Sequence, residues 1–118
     1  MKDLKTIQIP NFKTSLGHTQ DIQLTYEVFG KKLHTAPIVM VNHALTGNSN
    51  VAGKTGWWNK LIGPNECIDT HKFTILAFNM PGNGYGKDGQ LIFKPYAFNA
   101  FDVAKLLLLG LKQLKIIA

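Results

Sequence analysis

The segment best suited to chemistry is Val41-Asn42-His43-Ala44-Leu45-Thr46-Gly47. There a short apolar run ends in a histidine, then a small residue, then Leu-Thr-Gly. Acyl transfer passes through a tetrahedral intermediate whose oxygen turns negative, and fixed main-chain N–H dipoles stabilise that oxygen without having to reorganise. A small side chain such as Ala44 lets the backbone approach a reacting carbonyl. An ordinary exit from strand to loop fits the same residues, and the segment alone leaves both readings open.

Three other patterns carry less. Gly47 to Thr55 resembles the phosphate loop G-x-x-x-x-G-K-[ST], but the first glycine falls on Asn48 and Gly56 interrupts the helix that should follow. Counted from Gly82, a dinucleotide fingerprint puts its third glycine on Lys87, where no helix begins. A tight glycine loop is the simpler reading of Gly82, Gly84 and Gly86. His18, His34 and His71 are dispersed and Cys67 is the sole cysteine, so no metal ligand set is expected. Cys67 itself reads as an inert thiol. One cysteine also excludes a disulfide framework and fits a reducing compartment.

The elements that would position the first segment follow from periodicity. Residues 6–12 and 22–29 predict strands, joined by a turn over 14–20 containing Gly17. The second strand alternates, with Ile22, Leu24, Tyr26 and Val28 on one face and Gln23, Thr25 and Glu27 on the other. Pro10 predicts an edge position for the first strand. Residues 37–42 and 73–78 are continuous apolar runs, as in parallel strands covered on both faces. Between them, 56–62 predicts a short helix. Residues 99–115 predict a long helix with Asn99 as N-cap and Asp102 completing a capping box. Its stripe is Phe101, Ala104, Leu108 and Leu111, widened by Val103, Leu106, Leu107 and Leu114, and Gly110 allows close packing against a sheet. Residues 115–118 predict the start of another buried strand. An antiparallel hairpin leading into an alternating β-α-β-α-β pattern means an α/β fold, incomplete as it stands.

Composition bounds the rest. The chain has 118 residues, 45% of them hydrophobic, enough for one domain or part of one. The amino terminus lacks an apolar signal segment, and the longest apolar run is too short to span a bilayer, so a cytoplasmic protein without membrane partners is expected. Net charge is +6, from lysine alone. Without arginine for bidentate contacts, and with the lysines scattered, the charge reads as solvated surface and not as a nucleic-acid interface.

The blocks Asn42-His43-Ala44-Leu45-Thr46-Gly47-Asn48-Ser49, Val51-Ala52-Gly53, Gly56-Trp57-Trp58, Leu61-Ile62-Gly63-Pro64 and Ile68-Asp69-Thr70 resemble, in order and spacing, the N-terminal part of the homoserine O-acetyltransferases. The similarity continues through 73–79 and Gly84-Tyr85-Gly86 to 98–111. That family implies an α/β-hydrolase fold: an antiparallel hairpin, then a mostly parallel sheet with flanking helices, here as one incomplete domain over 1–118. It implies a ping-pong transfer from acetyl-CoA, as co-substrate, to the hydroxyl of homoserine or a related acceptor through an acyl-serine. Carried over, the amide of Leu45 is an oxyanion-hole donor, while His43, Ala44, Thr46 and Gly47 shape its loop and Gly53 permits a turn. Trp57 and Trp58 are expected as walls of the acyl or substrate pocket, with core positions the alternative. Family members commonly form homodimers.

The chain departs from the family at Pro81-Gly82-Asn83-Gly84, where a Leu-Gly-Gly type loop is usual, and at Phe101, where arginine is common. No G-x-S-x-G occurs: Ser15 and Ser49 both lack that setting. The nucleophile and its Asp and His partners are therefore expected beyond residue 118, after a strand starting near Ile116 that would pair with strand 37–42. On this reading the 118 residues alone are inactive, with an apolar sheet edge prone to association. A serine ester or thioester hydrolase of the same fold, and a non-catalytic remnant, are the competing readings.

Overall fold

The computed structural model describes residues 4–44, 47–81 and 99–118. Strands β1 (Lys5–Lys13), β2 (Thr19–Gly30), β3 (Ile38–Met40) and β6 (Thr74–Phe78) form one sheet in the order β1-β2-β6-β3. β4 (Ile62–Gly63) and β5 (Ile68–Asp69) form a small parallel pair, and α1 (Ala100–Gln113) is the α-helix among the described residues. Two of the three pairings in the main sheet are antiparallel and only β3–β6 is parallel. Among the described residues the sheet is thus mixed, an antiparallel hairpin leading into a parallel pair, as in part of an α/β fold.

The β1–β2 hairpin forms as its alternation demands, with Ile7 opposite Leu24 and Ile9 opposite Ile22. β1 is an edge strand, and its register shifts between Ile9 and Phe12, around Pro10. Proline cannot donate to a ladder, so a bulge at an edge is where it is tolerated. The turn closes through Thr14 N–H to the His18 carbonyl at 2.8 Å, with Gly17 at φ +90°.

The sheet buries both faces. On one lie Ile7, Ile22, Leu24, Tyr26, Leu76 and Phe78, sealed by Leu106 of α1. On the other lie Val41, Ile75 and Ala77, sealed by Val51, Ala52 and Ile62 from the connection between β3 and β6. That second cover explains why Glu27, on the expected polar face of β2, is buried.

The helix begins as its residues dictate. The Asn99 side chain accepts the Asp102 amide, and the Asp102 carboxylate accepts the Asn99 amide, a complete capping box. The packed face differs from the expected stripe. Asp102, Leu106 and Gly110 are buried, while Phe101 is 83% and Leu108 45% exposed. Gly110 is the reason: a Cβ there would lie 2.7 Å from Leu24 Cδ2 and 3.0 Å from Phe78, so the helix meets the sheet along its glycine side.

Two expected elements do not form. Residues 57–61 make turns instead of a helix; Ile62 N–H bonds the Trp58 carbonyl at 2.9 Å, and the chain passes directly into β4. The expected strand from 115 is replaced by a helix stop. Lys115 sits at φ +58°, its N–H bonds the Lys112 carbonyl, and Ile116 N–H reaches back to Leu111 at 3.0 Å. These are the two bonds of a Schellman motif, here with lysine where glycine is usual. Ile116 folds back onto the helix-side core, and β3 is an edge strand among the described residues.

Candidate functional site

The parallel strands β3 and β6 end side by side, and the candidate residues stand at their carboxyl ends. In open α/β sheets ligands bind at that rim, where loops diverge from the strands. The ladder runs past β3, with Val41 N–H donating to the Leu76 carbonyl at 2.8 Å, and then the chain turns away.

His43 is 6% exposed and works as a brace. Its Nε2 accepts the Met80 amide at 2.8 Å, so the ring proton belongs on Nδ1, which lies 2.6 Å from the Ala44 carbonyl it then donates to. Gly47 N–H closes a turn onto the Ala44 carbonyl at 2.8 Å. A Cβ on Gly47 would come within 3.0 Å of the His43 Cβ, so glycine gives the turn its closeness to the ring. Gly53, at φ +82°, makes a turn of its own farther along. Leu45 and Thr46, between Ala44 and Gly47, lie outside the described residues, as do Gly82, Gly84 and Gly86.

Beyond the turn the chain is pinned again, by groups the sequence did not single out. Ser49 N–H donates to Asn79 Oδ1 at 2.8 Å, and the Ser49 hydroxyl donates to Glu27 Oε2. Asn79 Nδ2 donates to Ser49 Oγ and to Thr25 Oγ1, both at 2.8 Å. Glu27, Ser49 and Asn79 are all buried. These partners stand 22 to 54 residues apart. Glu27 shares its face of β2 with Gln23 and Thr25, so alternation alone marked it as polar surface and gave no sign of this network.

A cavity of about 370 Å³ opens beside this rim. Phe78 of β6 lines it, the segments just past β3 and β6 contribute Asn42, His43, Asn79 and Met80, and the helix contributes Ala100, Val103, Ala104 and Leu107. Its walls are largely apolar, with the polar groups at the strand ends. Trp57 and Trp58 are not among its walls. They stack at 4.8 Å, each more than two-fifths exposed, with Trp57 Nε1 donating to the Asn48 carbonyl at 2.9 Å. They belong to the loop's outer surface, which rules out the core alternative. Asp69, from the Ile-Asp-Thr block, organises its own turn by accepting the amides of Asn65 and His71 at 3.0 and 2.9 Å. Those two bonds lower its carboxyl pKa. No cluster of three or more metal-ligating side chains occurs among the described residues.

No family model matches the chain. Individual proteins do. The homoserine O-acetyltransferase of Methanococcus vannielii is 35% identical over 102 residues, which cover 79% of this chain and 21% of that protein. The homoserine O-succinyltransferase of Nitrosomonas eutropha is 39% identical over 77 residues, covering 58% of this chain and 20% of that protein. This chain therefore matches about a fifth of the length of either relative. In three dimensions, homoserine O-acetyltransferase from Bacillus anthracis superposes with a TM-score of 0.80 over 95% of this chain and 36% of that one, at 20% identity. Esterase E22 superposes with a TM-score of 0.76 over 95% and 37%, also at 20% identity. Sequence and fold agree: these 118 residues are homologous to the N-terminal portion of the homoserine O-acetyltransferases and carry the corresponding part of an α/β-hydrolase fold.

Proposed function

We propose that this chain forms the oxyanion side of an acyltransferase that moves an acetyl group from acetyl-CoA to the hydroxyl of homoserine. The observation that carries the reading is the braced turn from Ala44 to Gly47, at the carboxyl ends of two parallel strands and beside an apolar cavity. A serine outside these residues attacks the thioester carbonyl, and the new tetrahedral oxyanion is held by the Leu45 amide. Collapse expels the thiol of CoA and leaves an acetyl-serine. The homoserine hydroxyl then attacks that ester, a second oxyanion occupies the same place, and O-acetylhomoserine leaves as the serine regains its proton. His43, Ala44, Thr46 and Gly47 set the backbone path around the donor. The enzyme works in the cytoplasm on small molecules, and a homodimer is the assembly the resemblance supports.

The test is turnover of acetyl-CoA with homoserine by the complete polypeptide that carries these residues. Leu45→Ala keeps the amide and is expected to keep activity. Leu45→Pro removes the N–H and is expected to lower kcat on the order of 10²–10³-fold. Equal activity in both variants overturns the role of this amide. Supplying water and homoserine as competing acceptors separates transfer from hydrolysis, the reading that the shared fold of esterase E22 keeps in play. Release of acetate at the same rate with and without homoserine would favour the hydrolase.

A further inference from the structure

Ser49 sits in a loop, yet it is fully buried and both its amide and its hydroxyl are engaged. Its hydroxyl donates to Glu27 of β2 and accepts from Asn79, just past β6, while Asn79 also takes the Ser49 amide. The orientation of the Asn79 amide is fixed by this pattern: its oxygen faces an N–H donor, and its nitrogen faces two hydroxyl oxygens, those of Ser49 and Thr25. Met80, the next residue, donates its amide to His43 at the other end of the turn. Two consecutive residues at the end of one strand therefore hold both flanks of the Ala44–Gly47 turn, and Glu27 on the neighbouring strand backs one of them.

Hydrogen bonds are directional, so such a clamp fixes where the flanks lie as well as how firmly they are held. A donor aimed at a transient oxygen needs its backbone placed to within about 0.5 Å. The loop's own bonds, Gly47 N–H to the Ala44 carbonyl and Trp57 Nε1 to the Asn48 carbonyl, close it on itself, and the clamp ties it to the sheet.

We infer that Ser49, seated on Glu27 and Asn79, is a positioning residue for the turn between Ala44 and Gly47. Its catalytic consequence rests on the acyl-transfer reading; the clamp itself does not. The first measurement is amide hydrogen exchange in the full 118-residue chain. Ser49→Ala is expected to speed exchange at Gly47 and Val51 by about tenfold, with the amides of β2 and β6 unchanged. Glu27→Gln, which keeps an acceptor for the serine hydroxyl, is expected to hold those rates closer to the parent than Glu27→Leu. The second measurement is turnover by the complete polypeptide, where Ser49→Ala is expected to lower kcat about tenfold with KM unchanged.

Unchanged exchange at Gly47 and Val51 overturns the inference. So does a rise spread equally over β2 and β6, which would make Ser49 a general support of the fold. If exchange rises at the turn alone while Leu45→Pro leaves turnover intact, the clamp stands and the acyl-transfer reading falls. A rise at the turn and a large loss with Leu45→Pro, but no loss of kcat in Ser49→Ala, overturns the positioning role.

Discussion

Beneath α1 the sheet is sealed by apolar side chains, Leu106 seated over Leu24, Leu76 and Phe78. The opposite face is sealed by a loop that brings the Ser49 hydroxyl onto a carboxylate and an amide of the sheet, those of Glu27 and Asn79, beside Val51 and Ala52. Apolar contact is non-directional: it rewards buried area and tolerates small lateral shifts. A buried hydrogen-bond network is satisfied in one arrangement, and a half-made one costs more than none. The helix side therefore supplies cohesion and the loop side supplies placement, and the proposed oxyanion turn is held from the loop side while α1 walls the cavity beside it.

Cutting the helix side should have the largest effect on stability. Leu106 is fully buried, and Leu106→Ala is expected to cost about 3 kcal/mol, read as a lower urea midpoint in equilibrium unfolding. Exchange at the Ala44–Gly47 turn should then rise only as far as global unfolding requires. Ser49→Ala is expected to cost less, about 2 kcal/mol, because its partners lose a bond in a buried setting. If Ser49→Ala proved the more damaging of the two to the urea midpoint, the division between cohesion and placement would fail.

The two sides also differ in how far the sequence revealed them. The Asn99–Asp102 capping box is a relation across three residues, and local spacing shows it directly. The alternation of β2 likewise named its buried face. The helix face was misplaced because α1 is apolar nearly all round: Phe101, Leu108 and Leu106 look alike in a hydropathy pattern, and only the approach of Gly110 to Leu24 and Phe78 selects one side. Ile116 and Ile117 have strand-like composition, yet the left-handed Lys115 returns the chain to the helix. On the loop side, His43 was legible as a candidate. Its brace on Met80 spans 37 residues, and the links from Ser49 to Glu27 and Asn79 span 22 and 30. No window of sequence holds such a network, since it exists only once β2 and β6 lie side by side.

A third substitution sharpens the same contrast from the helix end. Asn99→Ala removes the acceptor for the Asp102 amide and the donor that reaches Ser15 Oγ at 2.6 Å. A cost of about 1 kcal/mol is expected, with fraying confined to the first turn of α1 in exchange or circular dichroism. The cavity wall at Ala100 and Val103 would loosen with it, while the Ser49 clamp would not. Faster exchange at Gly47 in this variant would show that the two faces are coupled through the cavity.

The smallest effect is one of pH, and it concerns Asp102. Burial alone would raise its carboxyl pKa, but the amides of Asn99 and Ser15, the Ser15 hydroxyl and nearby Lys105 together outweigh that and lower it. The Ser15 bond, at 2.8 Å across 87 residues of sequence, ties the β1–β2 turn to the helix start. A carboxyl lowered on folding contributes stability that is fully present above its unfolded value of about 3.9 and is lost as pH falls through its folded value. The melting temperature should therefore be flat on this account near neutrality and fall below about pH 4. Asp102→Asn should remove that part of the acid sensitivity, since asparagine does not titrate. The Ser15→Ala variant should shrink it, because one hydroxyl and not the backbone bond is lost. An acid limb unaltered in Asp102→Asn would place the sensitive carboxyl elsewhere.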